Sequence, residues 1–170
     1  MDDRARLAPQ TAALAIAAIA AATIGGAWYF QLVLGLTPCP LCLDQRVFYY
    51  VAIPLALLLA AIARDPGRAN HVRAGFYVLA FLFVIAAAIG VYHAGIEWKF
   101  WAGPAACTGA TLAPSGDILS SLKEPVRVVP CDEASWRLFG ISLAGYNALI
   151  AGALALFALA VARRDPFPSP

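Results

Sequence analysis

Two cysteines three residues apart, Cys39 and Cys42, enclose a proline and a leucine. Pro40 suits the first position of a helix, where its missing N–H would have had no partner. Cys42 then falls in the first turn, where the positive end of the helix dipole favours a thiolate, the reactive form of the side chain. A disulfide across two intervening residues closes a very small loop and removes little chain entropy. The spacing therefore suits a pair that opens and closes better than a structural staple. Pro40 inside the pair is a feature that would alter its redox poise. Two further cysteines, Cys107 and Cys131, follow at a distance. Four cysteines allow three pairings. Placement favours Cys39 with Cys42 and Cys107 with Cys131, without deciding between the three. A zinc site is disfavoured, because no second Cys-x-x-Cys exists and the chain has only His71 and His93. No metal is assigned.

Arg46 stands four residues after Cys42, on the same helical face and one turn further on. The uncharged run that follows, Val47 to Ala63, is at the short end of the about 17–25 residues that cross a bilayer. The helix is therefore expected to begin near Pro40, with Arg46 at or just inside the membrane boundary, where an ionisable residue is a functional candidate. Snorkelling to headgroups is its plainer explanation. His93 lies at similar depth, with Glu97 four residues on as a possible partner. Together, a thiolate, a cation one turn away and a histidine at matching depth could surround a lipid-soluble ring and hydrogen-bond its carbonyls.

The elements that must position these residues are membrane helices. Apolar residues make up 62% of the 170-residue chain and charged ones 13%, and the mean hydropathy is +0.75. Soluble domains are roughly half apolar and about a quarter charged. The net charge of +2 and the scattered Lys and Arg exclude a nucleic-acid surface. Four uncharged, apolar runs are read as spanning helices over about 11–34, 41–63, 73–95 and 138–162. Gly25-Gly26 is expected to mark a close helix contact and Pro54 a kink. The expected fold is an all-α integral membrane protein in one domain, a four-helix transmembrane bundle with a long extracytoplasmic loop, about 97–136, between helices 3 and 4. Arg4 and Arg6 ahead of an Ala-rich stretch resemble a secretory leader. The apolar run is longer than a leader's and continues into Trp28-Tyr29-Phe30, so it is read as an uncleaved helix.

Arg4, Arg6, Arg64, Arg68, Arg73, Arg163 and Arg164 fall on three short segments of one side, which the positive-inside rule places in the cytoplasm with both termini. All four cysteines, and Trp28, Trp98, Trp101 and Trp136, then lie at the outer face, an oxidising compartment. Glu97 to Trp101 is expected to lie along the membrane surface, 117–122 to form a short interfacial turn, and the Pro-rich tail 165–170 to be disordered. A conduit for reducing equivalents would need cysteines on the cytoplasmic segments, and these have none. A scaffold held by two structural extracytoplasmic disulfides, without catalysis, is the competing reading.

The Cys39-Pro40-Leu41-Cys42 pair at the entry to helix 2, Arg46 four residues on, the Cys107/Cys131 loop pair, Tyr92-His93-Ala94-Gly95-Ile96-Glu97-Trp98 and Gly103-Pro104-Ala105-Ala106-Cys107 together resemble the disulfide bond formation protein B (DsbB) family. The likeness runs from the first helix through the fourth. Vitamin K epoxide reductases share the four-helix logic but place the quinone-side Cys-x-x-Cys late in the chain. The resemblance implies a bacterial inner-membrane oxidoreductase that reoxidises a periplasmic thioredoxin-like dithiol oxidase, DsbA, and passes the electrons to ubiquinone or menaquinone. It implies that the partner attacks Cys107, that Cys131 attacks Cys39, that Cys42 is left facing the quinone, and that Arg46 and His93 bind it.

Overall fold

The computed structural model describes residues 3–104 and 130–164. Cys107, the turn expected at 117–122 and the tail at 165–170 lie outside the described residues. Four long helices carry the fold: α1 (Asp3–Leu32), α2 (Pro40–Ile62), α3 (Ala69–Glu97) and α4 (Leu143–Arg163). Each contains a stretch long and apolar enough to cross a membrane. Consecutive helices pack on one another and α1 closes lightly onto α4, as in an up-and-down bundle.

The bundle is built inside out relative to a soluble one. Alanines dominate the buried faces, among them Ala13, Ala20, Ala52, Ala56, Ala86, Ala151 and Ala158, with Phe76, Leu79, Phe83 and Leu154 filling between them. Large aliphatic and aromatic side chains such as Leu58, Phe81, Val84 and Leu156 point outward. Lipid is as apolar as leucine, so burial gives no drive between helices, and small residues win the interfaces by letting backbones approach. Gly90 is the tightest such place between α3 and α4: a Cβ there would stand 2.9 Å from the backbone N of Ala148 and 3.0 Å from its Cα. The close contact expected at Gly25-Gly26 does not occur, since a Cβ at either meets nothing within 4 Å. Gly90→Val is therefore expected to lower stability by about 1–3 kcal/mol or more, because α3 and α4 must separate. Gly25→Ala should leave it nearly unchanged. Denaturant unfolding in detergent micelles, followed by circular dichroism, would compare the two.

Helix α1 starts at Asp3 rather than near residue 11, and three further boundaries differ from the sequence expectation. Helix α3 starts at Ala69 rather than 73, because Asp65 caps a 3-10 turn at Pro66–Arg68, accepting from Gly67 N at 2.9 Å, and the chain passes directly into the helix. Charge marks the edge of the apolar run there, not the edge of the helix. Helix α4 starts at Leu143 rather than 138. The residues before it form a two-stranded hairpin, β1 (Arg137–Leu138) with β2 (Ile141–Ser142), turned by Phe139 (φ 50°) and Gly140 (φ 80°). Two consecutive positive φ values are what a two-residue hairpin requires. Ser142 then caps α4 by accepting from Gly145 N at 3.2 Å. Apolarity alone runs through this turn, so it was invisible to a hydropathy reading.

The third difference is the end of α3. The stretch 97–101 folds back on the helix end, with Trp98, Phe100 and Trp101 exposed. Lys99 is left-handed (φ 62°), Phe100 N bonds Gly95 O at 2.9 Å, and Lys99 N bonds Ile96 O at 3.0 Å. These are the paired bonds of a Schellman cap. Trp101 returns along the helix, donating from Nε1 to Tyr92 O at 2.9 Å and stacking on the Tyr92 ring. Lys99 Nζ then reaches Asp132 at 2.6 Å and holds its carboxyl below the usual carboxylate range. Cys131 is thereby fixed beside the end of α3.

Candidate redox site

Helix α2 opens where the sulfurs are. Cys39 is its N-cap, in extended conformation (φ −74°, ψ 165°), and Pro40 occupies the first turn. Cys39 Sγ accepts from Cys42 N at 3.3 Å and stands 3.1 Å from Cys42 Sγ. A bonded pair would be about 2.05 Å apart. The structure thus holds Cys39 and Cys42 as two thiols in contact, where the pairing favoured from sequence joined them. Cys131 is disulfide-bonded, 1% exposed, and packs directly against Cys39.

The helix end acts on a different sulfur from the one the spacing indicated. Cys39, not Cys42, takes the capping position. Its thiol is lowered to about 5, first by the Cys42 thiol that donates to it, then by the His93 ring at 3.6 Å and the Cys42 N–H, against burial, which raises it. Alkylation of the reduced protein at pH 7 is expected to modify Cys39 rapidly, and the rate should fall about tenfold per pH unit once the pH drops below about 5, where the thiolate is protonated. Mass spectrometry of iodoacetamide-treated protein across pH 4–8 measures this; a midpoint near the ordinary thiol value would contradict it.

His93 sits behind the cysteines, 2% exposed. Its Nε2 faces Cys39 Sγ at 3.6 Å and Glu97 Oε1 at 3.8 Å. Its Nδ1 meets Gln45 Nε2 at 2.9 Å. Glu97 is buried too, and its Oε2 has no hydrogen-bond partner among the described residues. Cys39, Cys42 and His93 place their ligand-type atoms within 4.8 Å of one another. Two thiolates on one tetrahedral zinc at about 2.3 Å stand about 3.8 Å apart. The 3.1 Å sulfur contact is tighter and suits formation of a bond between the sulfurs.

On the other side of Cys42 lies a cavity of about 620 Å³. Ligand sites typically run about 300–1,000 Å³. Its walls are mostly apolar and come from α1, α2, α4 and the hairpin, with Phe30 and Trp136 (ring centres 4.9 Å apart) at one edge. Arg46 reaches into this wall, donating to Gln31 Oε1 at 2.6 Å and Ala27 O at 3.4 Å, with its guanidinium 5.8 Å from the Trp28 ring centre. Gly26 also lines the cavity, so the residue read as a helix contact leaves space instead. No α3 residue is among the lining; Arg46 borders this cavity, and His93 borders the small pocket on the other side of Cys42. Cys42 alone of the described cysteines borders both this cavity and the small pocket holding Cys39, His93 and Glu97.

A model of the family described as disulfide bond formation protein DsbB matches residues 9–161. The chain belongs to the DsbB family. It is similar to a disulfide bond formation protein B of Marinobacter nauticus, 30% identical over 158 residues, covering 88% of this chain and 89% of that one. A protein of the same name from Methylobacillus flagellatus is 31% identical over 146 residues, 82% of this chain and 84% of its own. A disulfide bond formation protein B 1 of Pseudomonas savastanoi is 32% identical over 142 residues, 84% of this chain and 76% of its own. No solved structure matches. The DsbB-family membership and the four spans make this a multi-pass protein of the bacterial inner membrane and a disulfide-forming oxidoreductase.

Within this DsbB-family site, three buried or half-buried polar residues of the membrane helices escaped the sequence reading: Gln45, Tyr49 and Asn147. Asn147 is an amide in an apolar run, and such a residue inside a spanning helix is a functional signal in itself.

Proposed function

We propose that the chain is a quinone-dependent thiol oxidase that reoxidises a periplasmic DsbA-like dithiol oxidase and delivers the electrons to ubiquinone or menaquinone. The observation that carries this reading is Cys42, the sulfur shared between the thiol pocket and the large apolar cavity. The cavity's size and apolar walls suit a quinone ring, and Arg46, Gln45 and Asn147 offer N–H donors for its carbonyls. A bound quinone supplies the two-electron acceptor. The protein's own steps are thiolate attacks on disulfides. By similarity, a partner thiolate attacks Cys107, and its second thiol resolves that bond, leaving Cys107 and Cys131 reduced. Cys131, in contact with Cys39, attacks it when Cys39 and Cys42 are bonded. That forms a Cys39–Cys131 bond and expels Cys42 as a thiolate at the cavity wall. Cys107 then attacks Cys131, restoring the loop disulfide and releasing Cys39, and the Cys39/Cys42 dithiol re-forms its disulfide as two electrons and two protons pass to the acceptor. Over a full cycle one dithiol becomes a disulfide, and two electrons and two protons leave to the acceptor.

His93 serves the sulfurs in this reading rather than the ring, since it faces Cys39 Sγ. Two free thiols 3.1 Å apart favour a working pair over a scaffold held by structural disulfides. Arginine-rich short segments support cytoplasmic termini and periplasmic cysteines. The test mixes the purified, reduced protein with a water-soluble ubiquinone or menaquinone analogue and follows quinone absorbance. One quinone reduced per dithiol is the expected result, and no reduction while the thiols stay free would overturn the reading. Membrane-impermeant thiol labelling of intact cells and of inverted vesicles tests the side: labelling from the cytoplasmic face would overturn it.

A further inference from the structure

We propose that Tyr49, Asn147 and Gln45 form a directed hydrogen-bond chain that fixes the tautomer of His93, placing its proton on Nε2, toward Cys39 Sγ. The chain can be followed atom by atom. The Tyr49 hydroxyl donates to Asn147 Oδ1 at 2.7 Å. Asn147 Nδ2 donates to Gln45 Oε1 at 2.6 Å. Gln45 Nε2 then faces His93 Nδ1 at 2.9 Å. With the two amides oriented in this sense, Gln45 Nε2 donates, and Nδ1 accepts and carries no proton. A neutral imidazole has one N–H, which leaves it on Nε2.

The far end of the chain agrees independently. Nε2 faces Cys39 Sγ at 3.6 Å and Glu97 Oε1 at 3.8 Å, both acceptors when ionised, and the Cys131 backbone also bonds the ring. The opposite tautomer would turn a ring lone pair toward a thiolate and leave Nδ1–H against an amide N–H. Tyr49, Gln45 and His93 are each 5% exposed or less, so a broken link would strand a polar group without water to replace it. Asn147 hydrogen-bonds Tyr49 and Gln45, and its orientation is transmitted to the ring through Gln45. These three are positioning residues: amides pass on direction, not protons. The arrangement rests on the oxidase reading only for its purpose, which is to present a hydrogen-bond donor to Cys39 each time that sulfur becomes a leaving group or a nucleophile.

The test is nitrogen-15 NMR of histidine-labelled, reduced protein in detergent micelles. His71 and His93 are the only histidines, so His71→Asn leaves a single ring to read. The wild-type ring is expected to show a protonated Nε2 and a bare Nδ1. Gln45→Glu is the sharpest variant: its carboxylate can still accept from Asn147 but offers His93 only an acceptor, so the proton should move to Nδ1. Asn147→Leu should yield a mixture of tautomers, and Tyr49→Phe a smaller change. Gln45→Glu should also raise the pH midpoint of Cys39 alkylation by about one pH unit or more, the equivalent of one hydrogen bond to a charged group. A role confined to packing would leave the tautomer untouched. A wild-type ring protonated at Nδ1, or a Gln45→Glu ring still protonated only at Nε2, would overturn the proposal. The spectrum needs neither quinone nor partner. If quinone is not reduced but Nε2 carries the proton, the oxidase reading fails and the chain stands.

Discussion

Turnover with quinone is expected to fall by about 10³-fold or more in Cys42→Ser, the loss typical of removing a nucleophile. A serine hydroxyl cannot bond to Cys39, so no disulfide forms for Cys131 to attack, and no thiolate appears at the cavity wall. The distinguishing measurement is a comparison with Cys39→Ser. That variant also loses turnover, because Cys131 loses its target, but it retains a sulfur that lines the cavity. A bulky, apolar maleimide should still modify Cys42 there, and a quinone analogue should protect it. In Cys42→Ser the same reagent should find no sulfur at the cavity, and Cys39 in the small pocket should gain no protection from the analogue. Steady-state quinone reduction and protection mapped by mass spectrometry report both effects. Undiminished turnover in Cys42→Ser would mean that electrons leave the protein by another route.

Much of this site was legible as sequence, and the limits are physical. The Cys-x-x-Cys at a helix entry and Arg46 one turn on are local features, fixed by the period of a single helix, and spacing suffices for them. The four spans follow equally from length and hydropathy. What spacing cannot give is the azimuth of one helix against another. His93 and Arg46 stand at matching depth in sequence, which grouped them around one ligand. In the fold α3 turns His93 toward Cys39 and Gln45, while Arg46 leans on Gln31 and Ala27 of α1. Depth alone could not separate the two walls. The choice between Cys39 and Cys42 as the capped sulfur was within reach of the sequence. Pro40 at the first helical position makes the residue before it the cap, so Cys39 lies at the helix end and Cys42 within the first turn. Gln45, Tyr49 and Asn147 were overlooked because hydropathy averages over a window, and single amides vanish in runs of leucine and alanine. The hairpin at 137–142 vanished for the same reason: its turn depends on two backbone angles and not on polarity.

Arg46→Ala is expected to raise the KM for quinone about 10–100-fold, the equivalent of the about 1.5–3 kcal/mol carried by a hydrogen bond to a charged group, and to leave the alkylation rate of Cys39 close to wild type. Arg46 is the one cation lining the cavity among the described residues, and its guanidinium is held in place from α1 by Gln31, Ala27 and the Trp28 ring. Two effects are thus combined in its removal. The cavity loses a charge facing any carbonyl oxygen that gains electron density, and α1 loses a tether to α2. Gln31→Leu separates them, since it cuts the 2.6 Å tether while keeping the cation. If the charge is what matters, Gln31→Leu should raise KM only a few-fold and Arg46→Lys should recover part of the loss, because an ammonium keeps the charge but cannot make the two-branched contact to Gln31 and Ala27. If the tether is what matters, Gln31→Leu should match Arg46→Ala. A KM unchanged in Arg46→Ala would place the ring elsewhere in the bundle, and the cavity beside Cys42 would then need another occupant.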